Sequence, residues 1–267
     1  MNKPNSKFDF NKYQAFEPIN LSQRQWPDKV IKKAPQWCSV DLRDGNQALA
    51  EPLTVKQKML MFNLLVDIGF KEIEVGFPSA SQADYDFVRQ LIEGGFIPED
   101  VTIAILTPAR EVFIKRSFEA LKGVKKALIH LYNSTSKVQR EQVFAMDKSG
   151  ITKIAVDAAK VIKECATDQS ETQWKFQYSP ESFTSTELEY AVEICNAVIQ
   201  VWQPSIDNPV IINLPSTVEM SMPNIYADQI EWFINHISFR ESIIISVHTH
   251  NDRGCAVAAS EMAILAG

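Results

Sequence analysis

The stretch Ile-Ile-Ile-Ser-Val-His-Thr-His-Asn-Asp-Arg-Gly, residues 243–254, carries the pattern that decides the fold. A run of β-branched apolar residues is typical of a buried strand, and the polar residues after it mark the end of that strand. Because alternate residues of a strand lie on the same face, His248 and His250 are predicted to project to one point. Two imidazoles at one point can share a divalent metal ion. The alternative is that two unrelated histidines fall two residues apart by chance. With 4 histidines in the chain, chance is the weaker explanation.

Short apolar runs of the same kind recur along the chain. Strands are predicted at 37–41, 72–77, 102–106, 127–132, 175–178, 210–214 and 243–248. Amphipathic stretches with helical spacing lie between them, at 54–68, 83–92, 111–121, 154–165, 186–202 and 227–237, and a last one begins near Cys255. Strands that alternate with helices form parallel βαβ units, and their spacing of roughly 25–45 residues predicts an α/β fold, the TIM (β/α)8 barrel.

Two regions are distinguished along the chain. Residues 1–36 are polar and rich in Asn, Lys and Pro, and are predicted to form an N-terminal arm, while residues 37–267 are predicted to form the barrel. The sequence supplies seven strand–helix units, whereas a closed TIM barrel has eight. Because an open parallel sheet leaves unpaired strand edges, we expect the chain to be a fragment whose barrel is truncated after about seven units.

The composition indicates an ordinary globular protein, with 45% hydrophobic and 22% charged residues. The formal net charge of −6 argues against nucleic acid as a partner. The chain contains neither a signal peptide nor an apolar stretch of about 18 residues, so no membrane is expected. The 4 cysteines are widely spaced and form no CxxC pair, which favours free thiols in a reducing compartment. A cytoplasmic location is therefore expected.

Polar residues follow the predicted strands, at the end of a TIM barrel where active sites lie. Asp44 follows the first strand and is the best carboxylate partner for the two histidines, because strands one and seven would be near neighbours across the gap for strand eight. The alternative is a turn residue beside Gly45. Arg43 is placed to stabilise oxyanion charge, and the alternative is a surface ion pair.

Four further candidates follow strands four, five and six. His130 is placed to bind a substrate carboxylate, but it also fits a core histidine with satisfied hydrogen bonds. Ser179 and Glu181 share one strand face, although Glu181 also fits a charge at the start of a helix. Thr217 fits a binding role or a plain loop hydroxyl.

Two segments of this chain resemble the signatures of a known family. They are Leu-Arg-Asp-Gly-Asn-Gln at 42–47 and His-Thr-His-Asn-Asp-Arg-Gly at 248–254, and they are similar to those of the metal-dependent Claisen-condensing TIM barrels. That family includes 2-isopropylmalate, homocitrate and citramalate synthases and hydroxymethylglutaryl-CoA lyase. The flanking segments 24–28, 37–41, 71–80 and 212–219 resemble the 2-isopropylmalate synthase branch.

The resemblance implies a set of functional residues. Asp44, His248 and His250 match the metal ligands of the family, and Arg43 matches the arginine that polarises the keto oxygen. The positions around the keto-acid and acetyl-CoA pocket are matched by His130, Ser179, Glu181 and Thr217. A base must take a proton from the acetyl methyl group, and Glu181 is the nearest candidate.

The resemblance also implies a reaction, a cofactor and an assembly. Acetyl-CoA would condense with 2-oxoisovalerate, and thioester hydrolysis would give 2-isopropylmalate and CoA, the first committed step of leucine biosynthesis. The cofactor would be a divalent metal, Zn, Mn or Mg. Members of the family form homodimers and continue with strand eight, an asparagine that completes the metal site, linker subdomains and a regulatory domain. We therefore expect the 267-residue chain alone to be inactive.

Other functions fit parts of the same pattern. Homocitrate synthase would take 2-oxoglutarate, whose second carboxylate needs a basic partner, and His130 is the one candidate. A truncated barrel that binds metal without catalysing a reaction is compatible with the lack of an eighth strand–helix unit in this sequence. Iron oxygenases also use two histidines and one carboxylate, but on antiparallel barrels. Amidohydrolase barrels carry an HxH pair on the first strand, whereas here the pair follows the seventh.

Overall fold

A computed structural model describes residue 11 and residues 14–267. In this part of the chain seven strands, β1 to β7, lie at Cys38–Ser39, Glu72–Gly76, Thr102–Pro108, Lys126–Ser134, Gln173–Glu181, Val210–Ser216 and Ile243–Thr249. Helices α1 to α8 lie at Val55–Ile68, Gln82–Glu93, Glu111–Leu121, Lys137–Gln139, Lys148–Asp168, Leu188–Trp202, Pro223–His236 and Ala256–Ala266. The predicted alternation of strands and helices is confirmed, and the short α4 is an addition to it.

The seven strands form one sheet in the order β1-β2-β3-β4-β5-β6-β7, and every neighbouring pair is parallel. Strands lie about 4.8 Å apart, so a flat sheet would separate its outer strands by about 29 Å. Instead, Asp44, which follows β1, lies 3.0 Å from His248 on β7. The sheet is therefore curled, and the expected α/β barrel architecture is confirmed with seven strand–helix units among the described residues.

The first strand is shorter than the sequence predicts. Strand β1 covers Cys38–Ser39, whereas the apolar pattern predicts 37–41. The chain leaves the strand at Val40 and forms a π-helical turn, Asp41–Gly45. The N–H groups of Arg43 and Gly45 donate to the carbonyl of Val40, and the N–H of Asn46 donates to the carbonyl of Asp41. This turn, rather than an Asp–Gly β-turn, carries Arg43 and Asp44.

Local sequence signals set the ends of the helices. Thr54 and Gln57 form a capping box at the start of α1, and Gly69 ends that helix with a φ of 109° that favours glycine. Asp147 caps α5 through the N–H of Gly150, so this helix begins six residues earlier than its apolar pattern, which predicts a start at 154.

Apolar side chains lie on both sides of the sheet, but unequally. The large cluster lies between the sheet and the surrounding helices, and it includes Ile73, Val75, Ile103, Ile105, Leu131 and Leu214. A separate small cluster is formed by Ala104, Leu128 and Ile211. These residues belong to the opposite face of the strands, since successive side chains alternate. The concave face is therefore largely available for polar groups.

The segment before β1 packs on α7 through charged groups. Arg24 donates to both carboxylate oxygens of Asp228, at 2.6 and 2.7 Å. The indole N–H of Trp26 donates to Asp228 at 2.7 Å, and the backbone N–H of Gln25 donates to Glu231 at 2.8 Å. Both carboxylates are buried, and each of their oxygens accepts at least one hydrogen bond. In the part of the chain that the structure describes, no helix has the length and apolar content needed to cross a membrane.

Candidate metal centre and polar chain

Asp44, His248 and His250 meet where the two outer strands approach each other. The Oδ2 atom of Asp44 lies 3.0 Å from Nε2 of His248 and 3.3 Å from Nε2 of His250. The three side chains form a group that can hold a metal ion, with their ligand atoms within 4.8 Å of one another. The structure brings these three residues together, and we call them the triad.

The ring of His250 has a defined orientation. Its Nδ1 atom lies 2.7 Å from the backbone carbonyl oxygen of Thr217. Because a carbonyl oxygen only accepts hydrogen bonds, Nδ1 carries the proton, and in the neutral ring Nε2 presents a lone pair toward Asp44. A lone pair that faces a carboxylate needs a proton or a cation between them.

Neighbouring side chains stabilise the ionised form of Asp44. Hydrogen bonds from His248 and then His250, together with the positive charge of Arg43, hold the pKa of Asp44 well below its usual range. The hydrogen bond to Asp44 raises the pKa of His250 in turn. Asp44 is therefore ionised, as a metal ligand must be.

The donor set and spacing fit a divalent ion. Two ligand atoms about 2.1 Å from a shared ion at tetrahedral or octahedral angles lie about 3.0–3.4 Å apart. The two separations from Asp44 Oδ2, 3.0 and 3.3 Å, fall in that range. One carboxylate and two imidazoles leave other coordination positions open, as in catalytic sites.

Arg43 is held between two carboxylates beside the triad. Its guanidinium contacts Asp44 at 2.9 Å and also donates from Nε to Glu74. The arginine side chain is 10% exposed and that of Glu74 is 3% exposed. Arg43 is thus not part of a surface ion pair, and its charge lies next to Asp44 in a largely buried position.

A chain of polar side chains continues from Glu74 across the concave face. Nδ1 of His130 lies 2.7 Å from Glu74, and Nε2 of His130 lies 2.7 Å from the hydroxyl of Ser179. Asn213 donates to the same hydroxyl at 2.8 Å. Burial raises the pKa of Glu74, but the charge of Arg43 and the contact with His130 outweigh it and bring the pKa to about 2. We call Arg43, Glu74, His130, Ser179 and Asn213 the polar chain.

The two remaining candidates lie at the ends of β5 and β6. Glu181 is half-buried and accepts a hydrogen bond from the hydroxyl of Ser134. The hydroxyl of Thr217 accepts from the N–H of Ser182 at 3.1 Å, while its carbonyl accepts from His250. The structure thus links Thr217 to the triad and His130 to Ser179. Among the described residues, neither group donates a hydrogen bond to the Glu181 carboxylate.

Sequence reasoning gave no role to Glu74 or Asn213, yet both join the predicted residues. A signal was present for Glu74: it lies in a strand between the apolar residues Ile73 and Val75, and all five residues of that strand are buried. A carboxylate in such a position requires a partner. Asn213 lies likewise among the apolar residues of β6, where every residue is buried.

Comparison with known proteins shows which family this chain belongs to. The HMGL-like family profile matches residues 34–267, which is most of the chain. The chain belongs to the HMGL-like family. Within this family it is 60% identical over 260 residues to a 2-isopropylmalate synthase of Clostridium acetobutylicum, covering 97% of this chain and 47% of that protein. It is 58% identical over 261 residues to the 2-isopropylmalate synthase of Ralstonia nicotianae, covering 98% of this chain and 45% of that protein.

The HMGL-like chain spans about half the length of these curated relatives. Among solved structures, it is similar to the HMG-CoA lyase of Brucella melitensis, with a TM-score of 0.64 over 86% of this chain and 77% of that chain. The sequence identity is 16%, so this likeness concerns the fold. It agrees with the curled parallel sheet described above.

Proposed function

We propose that this chain is the catalytic barrel of an acyltransferase that condenses acetyl-CoA with 2-oxoisovalerate to give 2-isopropylmalate and CoA. The observation that carries the proposal is the identity of 58–60% to 2-isopropylmalate synthases over nearly the whole chain. The triad and the buried Arg43 beside it support the same chemistry. The proposal includes the division into an arm, residues 1–36, and a barrel, residues 37–267.

Asp44, His248 and His250 would hold the divalent ion, for which Zn, Mn and Mg all suit the ligands. Such an ion supplies Lewis-acid polarisation of the ketone of a bound 2-oxo acid. Two features support this assignment: Asp44 is ionised, as a ligand must be, and the bond from Nδ1 of His250 to the Thr217 carbonyl leaves Nε2 as the ring atom that faces Asp44.

Arg43 would stabilise the charge that develops on the keto oxygen. The methyl carbon of acetyl-CoA loses a proton to a base and forms a bond with the keto carbon, whose oxygen becomes an alkoxide and then a hydroxyl. Water then cleaves the thioester to a carboxylate and the CoA thiol. A buried guanidinium fixed by Asp44 and Glu74 acts with little reorganisation, since its donors are already oriented.

Glu181 is our candidate for the base, and His130, Ser179 and Thr217 for binding the two substrates. The half-buried carboxylate of Glu181 lies at the end of β5, on the same strand as Ser179. His130 and Ser179 are bonded to each other and nearly fully buried, which supports a role in shaping the pocket.

The experiment is an assay of CoA thiol release by the full-length gene product that contains this chain, with acetyl-CoA, a divalent metal and a panel of 2-oxo acids. We expect release with 2-oxoisovalerate and its loss in Asp44→Asn, while His236→Asn on the exposed end of α7 retains it. Preference for 2-oxoglutarate would assign homocitrate synthesis instead. No release with any 2-oxo acid would refute the proposal.

A further inference from the structure

The two histidines of the triad are positioned in different ways. His248 lies within β7, in register with Pro215 of β6, so sheet hydrogen bonding sets its place. Strand β7 ends at Thr249, and His250 lies beyond it. Its side chain is 38% exposed, against 17% for His248. The backbone of His250 is still bonded to β6, since its N–H donates to the carbonyl of Ser216 at 3.2 Å, so it is the ring of His250 whose place depends on the loops around it.

One side chain joins the two loops concerned. The carboxylate of Glu219, in the loop after β6, is 5% exposed and accepts from two backbone N–H groups in the loop after β7. One oxygen accepts from the N–H of Cys255 at 3.0 Å, and the other accepts from the N–H of Arg253. In return the N–H of Glu219 donates to Asp252 at 2.9 Å. Each of the two loops thus both donates hydrogen bonds to the other and accepts them from it.

These bonds join the loop that carries the hydrogen-bond partner of His250 to the loop that follows His250. Thr217, whose carbonyl accepts from Nδ1 of His250, lies two residues before Glu219. The N–H groups that Glu219 binds lie three and five residues after His250. A shift of the Glu219 loop would therefore move both the carbonyl that orients the ring and the backbone that carries it.

The role of Glu219 is not simply that of a helix cap. Helix α8 begins at Ala256, and the N–H of Ala256 already donates to the side chain of Asn251 at 3.1 Å. The Glu219 carboxylate binds N–H groups that precede the helix, in the loop itself. Its contacts therefore constrain the loop more than the helix.

We propose that Glu219 is a positioning residue for the metal centre, which holds the loop after β7 so that Nε2 of His250 faces Asp44. The proposal rests on the proposed metal-binding role of the triad. Groups that orient a metal-binding histidine without touching the ion contribute about 10- to 100-fold in metal affinity. Glu219 acts at one further remove, through the carbonyl and the loop.

The test is the Zn²⁺ dissociation constant of Glu219→Gln, measured by titration calorimetry on metal-free protein. Glutamine has the same shape, but one of its two end groups is an NH₂ that cannot accept from a backbone N–H. We expect Zn²⁺ to bind about 10-fold more weakly in this variant, the lower end of that range, because Glu219 does not bond His250 directly. The matched control is Glu231→Gln, because Glu231 likewise accepts two backbone N–H groups, those of Gln25 and Trp26, in the arm contact.

The outcomes separate this inference from the metal site itself. If the unaltered protein binds no Zn²⁺, the metal site is refuted and this inference with it. If it binds Zn²⁺ and the folded Glu219→Gln variant binds equally well, or if Glu231→Gln weakens binding to the same extent, the positioning role is refuted and the metal site stands.

A second variant keeps the test valid if Glu219→Gln does not fold. Asp252 is exposed, and Asp252→Ala removes the return bond from the N–H of Glu219 without changing the core. We expect weaker Zn²⁺ binding here too, by a smaller factor. Unchanged affinity in this variant would refute the tie between the loops as the source of positioning.

Discussion

The carboxylate of Glu74 and the imidazole of His130 are joined by a 2.7 Å hydrogen bond on the concave face of the sheet, and both side chains are almost completely buried. Through the other oxygen of Glu74 the pair reaches Arg43, and through Nε2 of His130 it reaches Ser179. A buried charge is stable only when it is paired and hydrogen-bonded. Glu74 therefore connects the triad side of the site to the predicted substrate pocket.

Removal of the Glu74 charge should weaken the fold strongly. Glu74→Gln keeps the shape but leaves Arg43 and His130 without their shared anion, and breaking a buried pair typically costs about 3–5 kcal/mol. The measurement is the free energy of unfolding in urea. The control is Glu93→Gln. Glu93 is exposed, and its ion pair with Arg89 should contribute less than about 1 kcal/mol. Equal losses in the two variants would contradict the prediction.

The same carboxylate predicts a dependence of stability on pH. The pKa of Glu74 is about 2 in the folded protein, against 4.5 for an ordinary glutamate. A lowered pKa contributes stability that is fully present above pH 4.5 and is lost as the pH falls through about 2. We expect the difference in unfolding free energy between the native protein and Glu74→Gln to be constant above about pH 5 and to shrink below it. A difference that grows on acidification would exclude this.

Divalent metal should stabilise the fold through the triad. A ligand that binds the folded state alone, at a free concentration 100 times its dissociation constant, adds about 2.7 kcal/mol. We expect Zn²⁺ or Mn²⁺ to raise the melting temperature of the native protein and of His236→Asn. Asp44→Asn, which replaces the carboxylate at the centre of the triad, should show no rise. An equal rise in Asp44→Asn would mean that the ion binds elsewhere.

A glycine at the end of β2 should resist substitution. A Cβ atom on Gly76 would lie 2.9 Å from the carboxylate of Asp84, which is bonded to the buried Lys58 and to the N–H of Phe77. Gly76→Ala should therefore destabilise the fold by roughly 1–3 kcal/mol, as for other overpacked sites. Gly45→Ala is the control, since its nearest neighbour would be 3.9 Å away. Thermal unfolding of both variants decides the matter, and a neutral Gly76→Ala would contradict the close packing.

The strand and helix order could be predicted from periodicity because each strand is an apolar run bounded by amphipathic helices. The length of β1 could not, because the π-helical turn that begins at Asp41 is set by backbone bonds that leave no mark in the apolar pattern. The π turn nevertheless places Asp44 where the parallel sheet predicts it.

The triad could be predicted because its residues follow strands, and the ends of parallel strands meet at one edge. The contacts of Glu219 could not be predicted in this way. Its partners lie 34 and 36 residues further along the chain, in another loop, and the paths of both loops depend on the whole sheet. Glu74 lies between these cases. Its alternation with apolar neighbours is visible in the sequence, but its partners, Arg43 in the π-helical turn and His130 on β4, are 31 and 56 positions away.

Asp44 and His248 are 204 positions apart, and only the curl of the sheet brings them to 3.0 Å. An ion bound between them would cross-link the two ends of the sheet, since it would join the first strand–helix unit to the seventh. The affinity of the protein for the ion would then depend on the curvature of the sheet. A substitution in any intervening strand that flattens the sheet would move Asp44 and His248 apart without contacting either residue. Metal titration of this chain would thus report on the integrity of the whole sheet.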